Sequence, residues 1–159
     1  MTQTVFITGA DKGLGFALAE RFLIEGAHVF AGQYETGANL KPLSNTYPDR
    51  LTVVPLDVTD LDTVKEAAAS VAQQIEGLDI LINNAGVHLE PEDAQLEALN
   101  LEDGHLEASM DVNAFGPLRV NQQFLPLLRK GDRKVIVHIS SEAGRSEERR
   151  VGKECVSEC

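Results

Sequence analysis

Apolar positions follow two rhythms along this chain, and the rhythms alternate. Thr4–Thr8 is a nearly continuous apolar run, the pattern of a strand buried on both faces. Behind it Leu14, Leu18 and Phe22 recur every fourth residue, which predicts an amphipathic helix closed by Gly26. A short strand is expected at His28–Ala31, then a loop rich in Gly, Pro, Ser and Asn, then a third strand at Leu51–Leu56. The next helix should begin at Thr59, whose hydroxyl can cap free amides with Asp62 three residues on. Its expected buried stripe is Leu61, Val64, Ala68, Val71 and Ile75, and Gly77 is its expected end. Asp79–Ile82 reads as a fourth strand. A polar, acidic loop leads to a long helix from about His105 to Leu128, which Gly116-Pro117 should bend, and Lys134–Ser140 reads as a fifth strand.

Strands joined by helices imply right-handed crossovers and a parallel sheet covered on both faces. The expected fold class is therefore α/β, a doubly wound parallel sheet formed as a single domain by residues 1–144. No internal repeat or interdomain linker interrupts it.

Composition narrows the function classes. The 159 residues are enough for one domain with a real core, and a hydrophobic content of 43% is that of ordinary globular proteins. Met1 leads directly into a strand and no apolar run reaches a membrane span, so a cytoplasmic protein with no membrane partner is expected. A formal charge of −11 argues against a nucleic-acid partner, because phosphate contacts need clustered Lys and Arg. That excess lies wholly before Arg145, since the four basic and four acidic side chains from Arg145 onward cancel. Cys155 and Cys159 are the only cysteines, and the four histidines stand singly, so no metal site is expected.

The chemistry starts at Thr8-Gly9-Ala10-Asp11-Lys12-Gly13-Leu14-Gly15, between the first strand and the first helix. A phosphate needs amide N–H donors at close range with no Cβ in the way, and this segment offers both. Gly9 is expected to make the turn, Gly13 to let the backbone approach a pyrophosphate, and Gly15 to let the helix pack closely. A lone glycine triplet is a weak signal, and its placement between strand and helix is what strengthens it.

At this point the chain resembles the short-chain dehydrogenase/reductase family, whose fold is of the Rossmann type. Leu56-Asp57-Val58 looks like the family's adenine-binding position, and Asn83-Asn84-Ala85-Gly86 matches its Asn-Asn-Ala-Gly signature. Asn113, in Asp-Val-Asn-Ala-Phe-Gly-Pro-Leu, matches the asparagine of the catalytic tetrad, and Ser141 matches its serine, with Gly144 three residues on. Taken singly, Asp57 reads as a carboxylate leading a helix, Asn84 as a turn former, Asn113 as a surface residue and Ser141 as a strand-end hydroxyl. Their order and joint placement carry the resemblance, which covers residues 4–144 and is closest in texture to carbonyl reductases of the C-factor and sniffer type.

The resemblance implies a cofactor site at Gly9, Lys12, Gly13, Leu14, Gly15, Asp57, Val58, Asn84, Ala85 and Gly86, with Asn113 and Ser141 as catalytic residues. It implies hydride transfer between a nicotinamide cofactor and a small carbonyl or alcohol, in a parent that is a homo-oligomer. The carbonyl oxygen gains charge and must be protonated; the family uses a tyrosine for this, with a lysine four residues later lowering its pKa. Serine donates to that oxygen, and the asparagine positions a water for proton relay. An acid at the end of the second strand would select NAD; Gln33 there is neutral and Lys12 can reach a 2′-phosphate, so NADP is expected and NAD is the alternative.

The pattern then breaks. Where the family places Tyr-x-x-x-Lys, this sequence has Glu154 and Glu158, and its only tyrosines are Tyr34 and Tyr47. Arg145–Cys155 resembles the in-frame translation of a common short-read sequencing-library adapter, so residues 145–159 are expected to be a non-native or disordered tail on a fragment. Such a chain should not reduce a carbonyl at an appreciable rate, and its fifth strand should present an open apolar edge. The rival expectation is a non-catalytic nucleotide-binding or sensing module.

Overall fold

The computed structural model describes residues 2–34, 39–89 and 104–140. Its elements are β1 (Thr4–Ile7), α1 (Gly13–Ile24), β2 (His28–Gln33), α2 (Leu40–Thr46), β3 (Leu51–Pro55), α3 (Leu61–Ala72), β4 (Ile80–Asn83), α4 (His105–Met110), α5 (Gly116–Lys130) and β5 (Val135–His138). The five strands form one parallel sheet in the order β3-β2-β1-β4-β5. This is the doubly wound α/β arrangement, in which the strand order reverses between β1 and β4.

The pleat divides the core. Phe6, Phe30 and Leu81 lie in register across β2, β1 and β4 and face α3 and α5, where Phe6 meets Phe124 with ring centroids 4.2 Å apart. The alternating residues Val5, Ile7, Val29, Ala31, Ile80 and Ile82 face α1 and α2. Both layers are needed because the apolar runs of β1, β2 and β4 leave no wet face.

The elements differ from the sequence expectation in four places. On α1 the buried residues are Gly15, Ala19 and Leu23, one position on from the expected stripe, and Leu14 is 53% exposed. Small side chains let the helix approach the sheet closely, so burial there follows size and not hydropathy. The loop expected after β2 contains α2, short and anchored only by buried Leu40 and Leu43, with Pro42 tolerated in its first turn. The N-cap of α3 is Asp60, whose carboxylate accepts from the Asp62 N–H at 2.8 Å, and the helix ends at Ala72, short of Gly77. Leu61, expected in the buried stripe of α3, is 41% exposed.

The long helix is two helices. Between α4 and α5 the turn Asp111–Phe115 widens to i→i+5 hydrogen bonding, one turn before the expected bend. Pro117 has no N–H to give the carbonyl of residue 113, which loosens the turn that precedes it. Arg119 braces the widened turn through an ion pair with Asp111 at 2.6 Å.

At the amino ends of the strands a single carboxylate joins three segments. Asp79 accepts from the Thr4 N–H at 2.9 Å through one oxygen and from the Asp132 N–H at 2.8 Å through the other. On the far side Arg50 closes α1, donating to the Leu23 carbonyl at 2.7 Å. The outer strand β5 leaves Val135 and Ile136 each 39% exposed.

Candidate functional site

The sheet carries its cleft where the strand order reverses, at the carboxyl ends of β1 and β4. Ligands of open α/β sheets bind in this crevice because the loops diverge there to opposite faces. The cleft encloses about 320 Å³ and is lined by the turn after β1 (Gly9, Asp11, Lys12), the end of β2 (Tyr34), the β3–α3 loop, the loop after β4 and Val112.

Thr8 organises this point. Its hydroxyl oxygen accepts from the main-chain N–H groups of Asn84 and Ala85, each at 2.9 Å. In return the Asn84 side-chain amide donates to the carbonyls of Thr8 and Gly9, each at 3.0 Å. The turns after β1 and β4 are thereby one hydrogen-bonded unit.

The glycines divide the work. Gly9 sits at φ 62°, pressed on Ala85, whose Cα would lie 3.0 Å from an added Cβ. Gly15 has no room, since an added Cβ would stand 2.2 Å from the Gly9 carbonyl oxygen and 2.4 Å from the Asn84 amide nitrogen. Gly13 is the opposite case: φ is 56°, yet nothing lies within 4 Å of the Cβ position. The first hydrogen bond of α1 runs from the Phe16 N–H to the Lys12 carbonyl, so the amides of Gly13, Leu14 and Gly15 precede the helical ladder. Donors and open space thus coincide beside Gly13, which suits a phosphate. Gly13, Leu14 and Gly15 adjoin the cleft lining without being part of it.

The β3–α3 loop is held by its own polar groups. Asp57 accepts from the Thr59 N–H at 2.8 Å and from its hydroxyl at 2.7 Å, while the Thr63 hydroxyl donates to the Asp57 carbonyl at 2.8 Å. Val58 is buried between this loop and α5, where Gly116 approaches so closely that a Cβ would meet Val58 Cγ2 at 2.8 Å. Lys12 is exposed at the mouth of the cleft and is the one basic side chain lining it among the described residues, with Asp11 and Asp57 as its acidic neighbours.

Asn113 lies in the widened turn. Its side-chain oxygen accepts from the Val87 N–H at 2.9 Å and its amide donates to the Val87 carbonyl at 2.8 Å. Gly86 lies against it, an added Cβ falling 3.3 Å from that oxygen. The side chain therefore holds the loop after β4, and Pro117 leaves the Asn113 main-chain carbonyl without its i+4 donor. Ser141 lies outside the described residues.

Residues 3–152 match the family model for short chain dehydrogenase. The chain belongs to the short-chain dehydrogenase family. It is 37% identical over 145 residues to estradiol 17-beta-dehydrogenase 2 of Mus musculus, covering 89% of this chain and 37% of that protein. It is 36% identical over 151 residues to mitochondrial D-beta-hydroxybutyrate dehydrogenase of Bos taurus, covering 91% of this chain and 42% of that one. The chain thus spans less than half the length of either relative. Among solved structures, the NADPH-bound carbonyl reductase from chicken fatty liver superposes with a TM-score of 0.82 at 31% identity, covering 96% of this chain and 62% of that one.

Within this short-chain dehydrogenase the structure places the expected Gly9, Lys12, Asp57, Val58, Asn84, Ala85 and Gly86 along one cleft. The sequence reading misses Thr8, Tyr34, Thr59, Val87 and Val112. Thr8 and Thr59 carry a signal, a hydroxyl at the end of a strand or loop where backbone amides converge. Val87 and Val112 carry none, because their place depends on the widened turn. No helix among the described residues is long and apolar enough to cross a membrane.

Proposed function

We propose that this chain is the cofactor-binding part of an oxidoreductase that transfers hydride between NADP(H) and a small carbonyl or alcohol. The observation that carries the proposal is the open, donor-rich position beside Gly13 at the point where the strand order reverses. The residues fit a dinucleotide: amides ahead of α1 for the pyrophosphate, buried Leu56 and Val58 at one end of the cleft, and the Asn84–Val87 loop at the other.

The cofactor supplies the hydride; the chain's residues bind and orient. Lys12 faces the added negative charge of a 2′-phosphate, and its ammonium favours NADP over NAD. The NADPH in the chicken carbonyl reductase supports this choice. Thr8 and Asn84 hold the two turns together, and Asn113 fixes the loop after β4 through Val87. The Asn113 main-chain carbonyl is the acceptor for a relay water, and Ser141 is the donor to the substrate oxygen. Glu154 and Glu158 stand where the family has Tyr-x-x-x-Lys, so this chain binds cofactor without turning substrate over. The same departure favours the second reading, a nucleotide-binding module.

Calorimetric titration with NADPH and NADH tests the proposal. NADPH should bind more tightly, and Lys12→Ala should remove the difference. Absence of binding by both cofactors refutes it.

A further inference from the structure

Asn83 ends β4 only 4% exposed, and among the described residues its side-chain oxygen Oδ1 accepts no hydrogen bond. A buried oxygen left without a donor costs free energy, and the neighbours of Asn83 explain why the fold tolerates it. The Asn83 side-chain nitrogen Nδ2 donates to Asn121 Oδ1 on α5 at 2.9 Å. Asn121 Nδ2 in turn faces His138 Nε2 at 3.5 Å, the outer limit of a hydrogen bond. His138 stands directly across from Asn83 in the β4–β5 register and is exposed, so the three side chains form a row from the interior to solvent.

An amide nitrogen can only donate, so the row as built needs a His138 Nε2 that carries no proton. Once Nε2 is protonated, two donors face each other. Turning the Asn121 amide over offers Oδ1 to His138 and points Nδ2 at Asn83. Asn83 must then turn as well, so that its Oδ1 accepts from Asn121 and its own Nδ2 loses its partner. Each arrangement holds one hydrogen bond between the two asparagines and leaves one polar atom of Asn83 unpaired. That count favours neither, and the histidine at the end of the row decides.

Among the described residues His138 makes no ion pair. β4 contributes no charged side chain. On α5, Arg119 is engaged by Asp111 and the Val58 carbonyl, and Arg129 and Lys130 lie in the last turn. Lys134 precedes β5, at the opposite end of that strand from His138.

We propose that Asn83, Asn121 and His138 form a proton-gated amide relay, in which protonation of His138 on the outer strand reverses both asparagine amides. The relay ends beside Asn84, which fastens the turn after β4 to Thr8. It is independent of what the cleft binds.

Side-chain NMR of the isotope-labelled full chain, from about pH 8 to about pH 5 where histidine changes charge, tests the proposal. As His138 gains its proton, the Asn83 Nδ2 protons should lose their hydrogen bond and move upfield. Those of Asn121, newly bonded to Asn83, should move downfield, and both should share the midpoint of the His138 ring. His138→Gln, a change at an exposed position, should hold both amides still across the range. Asn121→Ala should leave His138 titrating and the Asn83 amide unmoved. Asn83 resonances that stay fixed while His138 titrates in the parent chain overturn the proposal. So do shifts of both amides in one direction, which mark the ring charge acting through space. An Asn83 response that survives Asn121→Ala overturns it as well, because the signal then does not pass through Asn121.

Discussion

Thr8 and Asn84 are bonded to each other in both directions: the Thr8 hydroxyl accepts from the Asn84 N–H at 2.9 Å, and the Asn84 side chain donates to the Thr8 carbonyl at 3.0 Å. The pair fastens the turn after β1 to the turn after β4 at the point where the two chains part to opposite faces. The cleft exists because these turns are held together at their base while their outer portions diverge.

Removing the Thr8 hydroxyl should loosen both fold and site. Thr8→Ala strips the acceptor from the N–H groups of Asn84 and Ala85 and should cost about 1–3 kcal/mol in urea unfolding. NADPH affinity should fall with it, and Thr8→Ser, which keeps the oxygen, should restore most of both.

Two glycine substitutions should separate folding from binding. Gly15→Ala drives a methyl into the Gly9 carbonyl oxygen and the Asn84 amide, and should destabilise the chain by about 3 kcal/mol or more. Gly13→Ala meets no atom and should cost only the backbone strain of a positive φ, about 1–2 kcal/mol. Its methyl fills the space beside the open amides, so cofactor binding should suffer far more than the melt. Circular dichroism melts alongside NADPH titration check the pair.

The division between what the sequence disclosed and what it concealed follows the range of the interactions. Thr4–Thr8, Leu51–Leu56 and the Gly9–Gly15 turn are local patterns, and they sufficed for the parallel sheet and the position of the cleft. The face of α1 was misread because Gly15 and Ala19 are buried by closeness and not by hydropathy. α2 stayed hidden because two leucines make too short a pattern to register. The Thr8–Asn84 bond spans 76 positions, and no spacing rule reaches that far. The widened turn at Asn113 depends on Pro117 together with the Arg119–Asp111 pair, so the proline alone pointed to a bend one turn too late.

Charge at the cleft mouth should act on the cofactor and not on the fold. Lys12→Ala should weaken NADPH by about tenfold while leaving NADH nearly unchanged, and that selectivity should shrink as salt rises. Asp11→Asn, which removes a negative neighbour, should move NADPH affinity the other way. Titrations at low and high ionic strength distinguish this from an unspecific loss of structure, which would affect both cofactors equally.

Acid stability should single out Asp79. Hydrogen bonds from the Thr4, Asp132 and Arg133 N–H groups, and from the Thr4 hydroxyl, outweigh burial and hold its carboxyl below the ordinary value of 3.8. A carboxyl whose folded pKa is depressed is more readily protonated when unfolded. It therefore contributes stability that is fully present above pH 3.8 and is lost as pH falls through the lower folded value. His28 works in a separate window: burial against Phe30 pushes it below 6.5, so its contribution is lost as pH falls below that value. Asp79→Asn should cost about 2 kcal/mol at neutral pH, because an amide nitrogen would face main-chain donors. The gap between parent and variant should narrow as pH falls below 3.8 while the His28 window stays common to both. Urea unfolding from pH 7 down through the acid range measures it, and a gap that does not narrow at all below pH 3.8 would show that Asp79 acts through packing and not through its charge.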